Sequence, residues 1–209
     1  TGLGDIVQNG DNNGDNTEWL IASDAYGLLE NPVTTTLADG IPFGLSVGNH
    51  DQGPSGGGSG TTTFFNQYFG VPHFTGRVYY GGNYGADNDN SYQLFSAGGM
   101  DFIVFHFEYD TTMDQAVLDW ADALLATYSD RRAIITTHYM VGTGNPASFG
   151  PQGQAIYNAL SDNENVFLML GGHVNGEGRR VDTGSNGNTI YSVEADYQDD
   201  AGGGNGYMR

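Results

Sequence analysis

The sequence predicts an α/β domain. Three observations support this: short apolar or alternating runs that end in polar, glycine-containing turns, two longer stretches with helical period, and an apolar content of 38%, enough for a core in 209 residues. Taken in order, residues 18–29 form a helical segment and residues 43–47 a strand. The Gly-Ser cluster at 54–60 reads as a flexible loop inside the domain, because strand signals continue on both sides of it. Residues 91–95 and 101–107 follow as strands. The clearest helix spans 113–128, where Met113, Ala116, Val117, Trp120, Ala121, Leu124, Leu125 and Tyr128 share one face. Thr112 and Gln115 supply its capping box. Residues 133–137 form a strand, 151–160 a shorter helix opened by Pro151, and 166–170 and 189–193 the last strands. No repeat or boundary interrupts the series, so 1–209 counts as one domain.

Charge narrows the classes of function. The chain carries 25 acidic residues against six basic ones, all arginine, for a formal charge of -19. Such a field repels a nucleic-acid backbone, which needs clustered Lys and Arg, so nucleic acid is set aside as a partner. A small phosphate ester can still be held if bound cations reverse the local sign. Absence of cysteine excludes disulfides, thiolate zinc sites and thiol nucleophiles. No apolar run is long enough to span a membrane. The lysine-free, Gly- and Asn-rich composition points to an exported protein, extracellular or on the cell surface. Thr1 is not an initiator Met and no element closes the chain at Arg209, so the domain is expected to be incomplete at both ends.

The residues after the strands carry the chemistry. Gly4-Asp5 stands near the start, Gly48-Asn49-His50-Asp51 follows 43–47, His138 follows 133–137, and Gly172-His173-Val174-Asn175 follows 166–170. In α/β folds ligands bind at the carboxyl ends of strands. Asp5, Asn49, His138 and His173 would supply one carboxylate, one amide oxygen and two imidazoles, a mixed set suited to Zn, Mn or Fe rather than Ca. A carboxylate can bridge two cations, and such a pair can lower the pKa of a shared water and clamp a phosphoryl group. His50 would then be a free imidazole able to protonate a leaving oxygen, with Asp51 orienting it.

The ordered set Gly-Asp, Gly-Asn-His-Asp, His, Gly-His-Val-Asn resembles the calcineurin-like metallophosphoesterases, whose pattern is Asp-x-His, Gly-Asp, Gly-Asn-His-Asp/Glu, His, Gly-His-x-His. The likeness runs from Asp5 to beyond Asn175. It implies a sandwich of two β-sheets flanked by helices, one or two divalent metal ions, and a secreted enzyme that hydrolyses phosphomonoesters or phosphodiesters by metal-activated hydroxide. By the same resemblance Asp5 bridges the metals, Asn49, His138 and His173 complete the second site, and His50 is the catalytic imidazole. Two departures fall on the first metal site. Asp-x-His is absent before Asp5, and Asn175 stands in place of the last His, leaving only a weak amide ligand there. The alternative is a catalytically degenerate phosphoesterase fold serving as a structural or adhesive module of an extracellular protein.

Other polar features read as structural. His73 and His106 have no motif around them. The run at 11–15 opens with calcium-loop spacing, but Asn16 and Ala22 stand where Gly and Glu are needed, so an Asx-rich turn is expected. Arg179-Arg180 reads as a solvated strand start. The Tyr-rich segment 79–92 either lines a cleft or packs between loops.

Overall fold

A computed structural model describes residues 1–11, 13–54, 57–58 and 60–201. Residues 55, 56 and 59 of the expected flexible loop lie outside the described residues, as do Asn12 of the Asx-rich run and the end of the chain, 202–209. The helices are α1 (Thr17–Glu30), α2 (Pro32–Thr35), α3 (Thr63–Phe69), α4 (Val71–Phe74), α5 (Gln115–Thr127) and α6 (Pro151–Leu160). The strands are β1 (Tyr80–Asn83), β2 (Ser91–Ala97), β3 (Met100–Phe107), β4 (Arg132–Thr137), β5 (Val141–Gly144), β6 (Ala147–Phe149), β7 (Val166–Gly171), β8 (Gly176–Thr183) and β9 (Thr189–Asp196).

The nine described strands form one mixed sheet in the order β1-β2-β3-β4-β7-β9-β8-β5-β6. Its centre, β3-β4-β7-β9, is parallel, while β1-β2, β2-β3 and β8-β9 pair antiparallel. Parallel strands need both faces covered, which explains why β3, β4 and β7 read as nearly unbroken apolar runs. One face carries Ile103, Phe105, Ile135 and Met169 and is covered by Val117, Leu118, Ala121 and Leu125 of α5 with Ile156 and Leu160 of α6. Each such side chain, once buried, contributes about 1.5–3 kcal/mol. Asp114, not Thr112, caps α5, accepting the Ala116 N–H at 2.9 Å, while Thr112 turns back to Asp110.

The opposite face meets an N-terminal layer. Ser46 Oγ lies 2.9 Å from Thr136 Oγ1, and Thr1 Oγ1 lies 3.2 Å from His106 Nδ1. The strand expected at 43–47 is instead an extended segment with a single parallel bridge, Gly2 to Leu45. Of the second sheet of a sandwich, that bridge is what the described residues contain. Behind it Trp19, Phe43, Leu45, Val47, Phe65, Phe69 and Phe74 form a second core, covered by α1, α3 and α4. Helices therefore flank the β layers on both sides.

The residues read as structural behave so. His106 is buried, which lowers its pKa to about 3, and its Nδ1 lies 2.8 Å from Thr136 Oγ1. His73 pairs with Glu30 at 2.6 Å inside the aromatic core. Asp15 makes an Asx turn, accepting the Thr17 N–H at 2.9 Å as α1 begins. Arg180 grips Asp182 through two bonds of 2.6 and 2.7 Å and stacks on Phe149. Tyr79 and Tyr92 are buried, while Tyr84 of the same segment lines a cleft of about 290 Å³ with Asp87, Asp89 and Glu108. Among the described residues no helix is long and apolar enough to cross a membrane.

Candidate metal centre

The four expected donors meet at the carboxyl ends of the Gly2 and Leu45 segments and of β4 and β7. Two of them sit on strained backbone, Asp5 at φ 50° and His173 at φ 80°. Non-glycine residues in that region cost about 1–3 kcal/mol and persist where the surroundings hold them. Two glycines let the first two loops touch. A Cβ on Gly4 would come 2.6 Å from His138 Nδ1, and one on Gly48 would come 2.2 Å from Asp5 Oδ1.

His138 is the hub. Its Nδ1–H donates to the Leu3 carbonyl at 2.9 Å, because a carbonyl can only accept. Nε2 therefore presents its lone pair to the site in the neutral ring and an N–H to Asp5 in the protonated one. Around it stand Asn49 Oδ1 at 2.9 Å, His173 Nδ1 at 3.0 Å and Asp5 Oδ2 at 3.2 Å. The other Asp5 oxygen accepts the His50 N–H at 3.0 Å. Burial opposes charge on both members of the Asp5–His138 pair, but their mutual attraction outweighs it, lowering the pKa of Asp5 and raising that of His138. His173 is lowered, by burial first and then by the neighbouring His138.

The donor set has the composition of a cation site, one carboxylate, one amide oxygen and two imidazoles. Four polar atoms converge: the Asp5 carboxylate and Asn49 Oδ1 accept, while each histidine nitrogen accepts or donates according to its tautomer. Atoms bound to one ion at about 2.0–2.2 Å lie roughly 3 Å from each other, and the three distances measured from His138 Nε2 are of that size. Counting only His, Cys, Asp and Glu side chains, no group of three or more among the described residues is arranged to hold an ion as it stands. His138 Nε2 itself occupies the middle of the cluster, and the amide of Asn49 supplies the fourth atom.

Two expected site residues stand elsewhere. Asp51 does not orient His50. It is buried, its oxygens accept the Val7 N–H at 3.0 Å and the Gly48 N–H at 2.7 Å, and burial pushes its pKa up to about 7. The His50 ring is set instead by Gln8, whose carbonyl lies 2.9 Å from Nδ1. Asn175 is exposed and makes no hydrogen bond to the four converged donors.

Residues not anticipated from sequence complete the site. The His173 ring lies between those of Tyr109 and Tyr139, with centroids 5.2 and 5.0 Å away. Asp196 and Gln198 join Asp5, His138 and His173 around a cleft of about 220 Å³. A larger groove of about 590 Å³ opens on the other side of Asp5, past Gln8, Glu18 and Tyr26. Tyr139 adjoins a motif histidine in sequence and could have been found. Asp196 comes to the site at the end of β9 and Gln198 in the turn beyond it, where its N–H donates to Asp196 at 3.0 Å, a placement that no local pattern reveals.

Fold and site together define an α/β protein whose mixed sheet gathers nitrogen and oxygen donors at its strand ends. No family model matches the chain. The chain is 31% identical over 214 residues to the uncharacterized protein YvnB of Bacillus subtilis (strain 168), a match covering 99% of this chain. The chain spans about 15% of the length of that relative. Among solved structures, a dimetal phosphatase from Danio rerio matches with a TM-score of 0.32 and 24% identity, over 40% of this chain and 27% of that one.

Proposed function

We propose that the chain hydrolyses small phosphomonoesters or phosphodiesters with one or two divalent ions, Zn, Mn or Fe, held by Asp5, Asn49, His138 and His173. The observation that carries this is the convergence of three polar atoms, from Asp5, Asn49 and His173, within 3.2 Å of His138 Nε2. When bound, such a cation lowers the pKa of a water and offsets charge on phosphoryl oxygens. Asp5 is held for this role by the His50 amide, and the His138 ring by the Leu3 carbonyl, so neither reorients. The Gln8 carbonyl at 2.9 Å and the Gln8 side-chain amide at 3.0 Å hold the His50 ring at Nδ1, which leaves Nε2 as the atom that would carry a proton to the leaving oxygen. The net charge of -19 supports a small ester over a polyanion. An extracellular or cell-surface setting belongs to the same proposal and rests on composition.

A catalytically degenerate fold serving as a structural or adhesive module is the second reading, favoured by the exposure of Asn175 away from the cluster. Metal content and hydrolysis of an aryl phosphate and a bis(aryl) phosphate, measured on the parent and on His138→Ala, separate the two. The expected result is that the parent binds metal and cleaves at least one ester while His138→Ala does neither. A parent that binds metal but cleaves neither ester, or that binds none, supports the module.

A further inference from the structure

Behind the His173 turn lies a row of buried polar groups that the proposed chemistry leaves unused. β9 sets Glu194 opposite Gly171, the last residue of β7. The Glu194 side chain is 1% exposed. Its Oε1 accepts the Val174 N–H at 3.2 Å, whereas Oε2 has no partner, and neither have Thr137 Oγ1 nor Ser192 Oγ. A Cβ on Gly171 would stand 3.2 Å from Glu194 Oε2 and 2.7 Å from Met140 N, so the glycine makes the room this carboxyl group occupies. A buried acid with one unpartnered oxygen is costly and calls for a reason to be there.

That reason lies in the backbone of the turn. His173 holds φ at 80°, which its neighbours must maintain. The N–H before it, on Gly172, donates to the His138 carbonyl at 2.8 Å, and the N–H after it, on Val174, donates to Glu194. The turn is thus pinned on both sides of His173, once by a fellow donor and once by Glu194. We propose that Glu194 is a positioning residue, which fixes the 172–175 turn and so aims His173 Nδ1 at the donor cluster. This rests on reading that cluster as a metal centre.

Titration with Co²⁺ alone, followed by visible absorption, tests both levels separately. The parent should show imidazole-ligated Co²⁺ bands, and Glu194→Gln, which keeps an acceptor for Val174, should reproduce them. Glu194→Leu should shift the bands and weaken binding roughly 10- to 100-fold while still unfolding cooperatively. Hydrogen exchange supplies a measurement that needs no variant, since the Val174 amide should be protected in the parent. If Glu194→Leu keeps the parent's bands and affinity, or the Val174 amide exchanges as freely as an exposed turn, the positioning role is refuted and the metal centre stands. Should Glu194→Leu fail to fold, weak Co²⁺ binding by a folded Glu194→Gln overturns the acceptor role. A parent that binds no Co²⁺ overturns both.

Discussion

At the scale of single residues, the neighbours His50 and Asp51 have opposite assignments. His50 touches the cluster only through its backbone N–H, and its ring is held by Gln8. His50→Ala should therefore lower turnover by roughly 10²- to 10⁴-fold and leave metal content unchanged, as measured by steady-state rates and mass spectrometry. Loss of metal together with activity would place His50 among the ligands. Asp51 satisfies two buried amides, and removing their partner costs about 1–3 kcal/mol each. Asp51→Ala should thus show a lowered Tm before any catalytic effect is measurable. The sequence singles out both residues, but adjacency in a motif is not contact in space. In this turn the His50 ring points to Gln8 while the Asp51 carboxylate points inward to the amides of Val7 and Gly48. Asn49, His138 and His173 were legible as strand-end residues because each follows an apolar run, and Asp5 through its Gly-Asp pair; the structure brings all four together.

At the scale of elements, what was legible follows burial. β3, β4, β7, β9, α5 and α6 are built from runs whose apolar period matches their covered faces, and all were expected within a few residues. β1, β5, β6 and β8 were not: β1, β5 and β6 are only three or four residues long, β8 is rich in glycine and charge, and all owe their form to pairing. α3 and α4 are not legible in the sequence because helices of seven and four residues, packed on Trp19 and Phe43, carry too little period. Helix α6 offers a test of how tightly an element supports the site. A Cβ on Gly153 would lie 1.8 Å from the Met140 carbonyl oxygen, two residues past His138. Gly153→Ala should destabilise by about 1–3 kcal/mol in urea unfolding and weaken metal binding as α6 is displaced. Gly27→Ala in α1, where nothing lies within 4 Å, should instead gain about 0.5–1 kcal/mol. Equal effects from the two would mean that close packing at Gly153 does not matter.

At the scale of the whole molecule, acidity governs stability. Burial, then repulsion from Asp89, Asp110 and Asp87, pushes the Glu108 carboxyl up to about 8 from its ordinary 4.5. The folded state therefore holds a proton that the unfolded state releases above its own pKa. Stability from this group is complete below pH 4.5 and declines as pH rises towards 8. Glu108→Gln should flatten that decline, so that the variant exceeds the parent in chemical denaturation at pH 8 and differs little at pH 5. A slope unchanged by the substitution would show that Glu108 titrates normally. Distance along the chain has a different consequence. The bond from His138 to the Leu3 carbonyl joins residues 135 positions apart, and Asp5, Asn49 and His173 must arrive at the same point. Closing such loops is slow, so the centre should assemble after the rate-limiting barrier to folding. An ion that binds only the finished arrangement then acts on escape from the native state, not on arrival. With Zn²⁺ added, the unfolding arm of the chevron should fall while the refolding arm stays where it was; a faster refolding arm would mean that the far ends of the chain meet early.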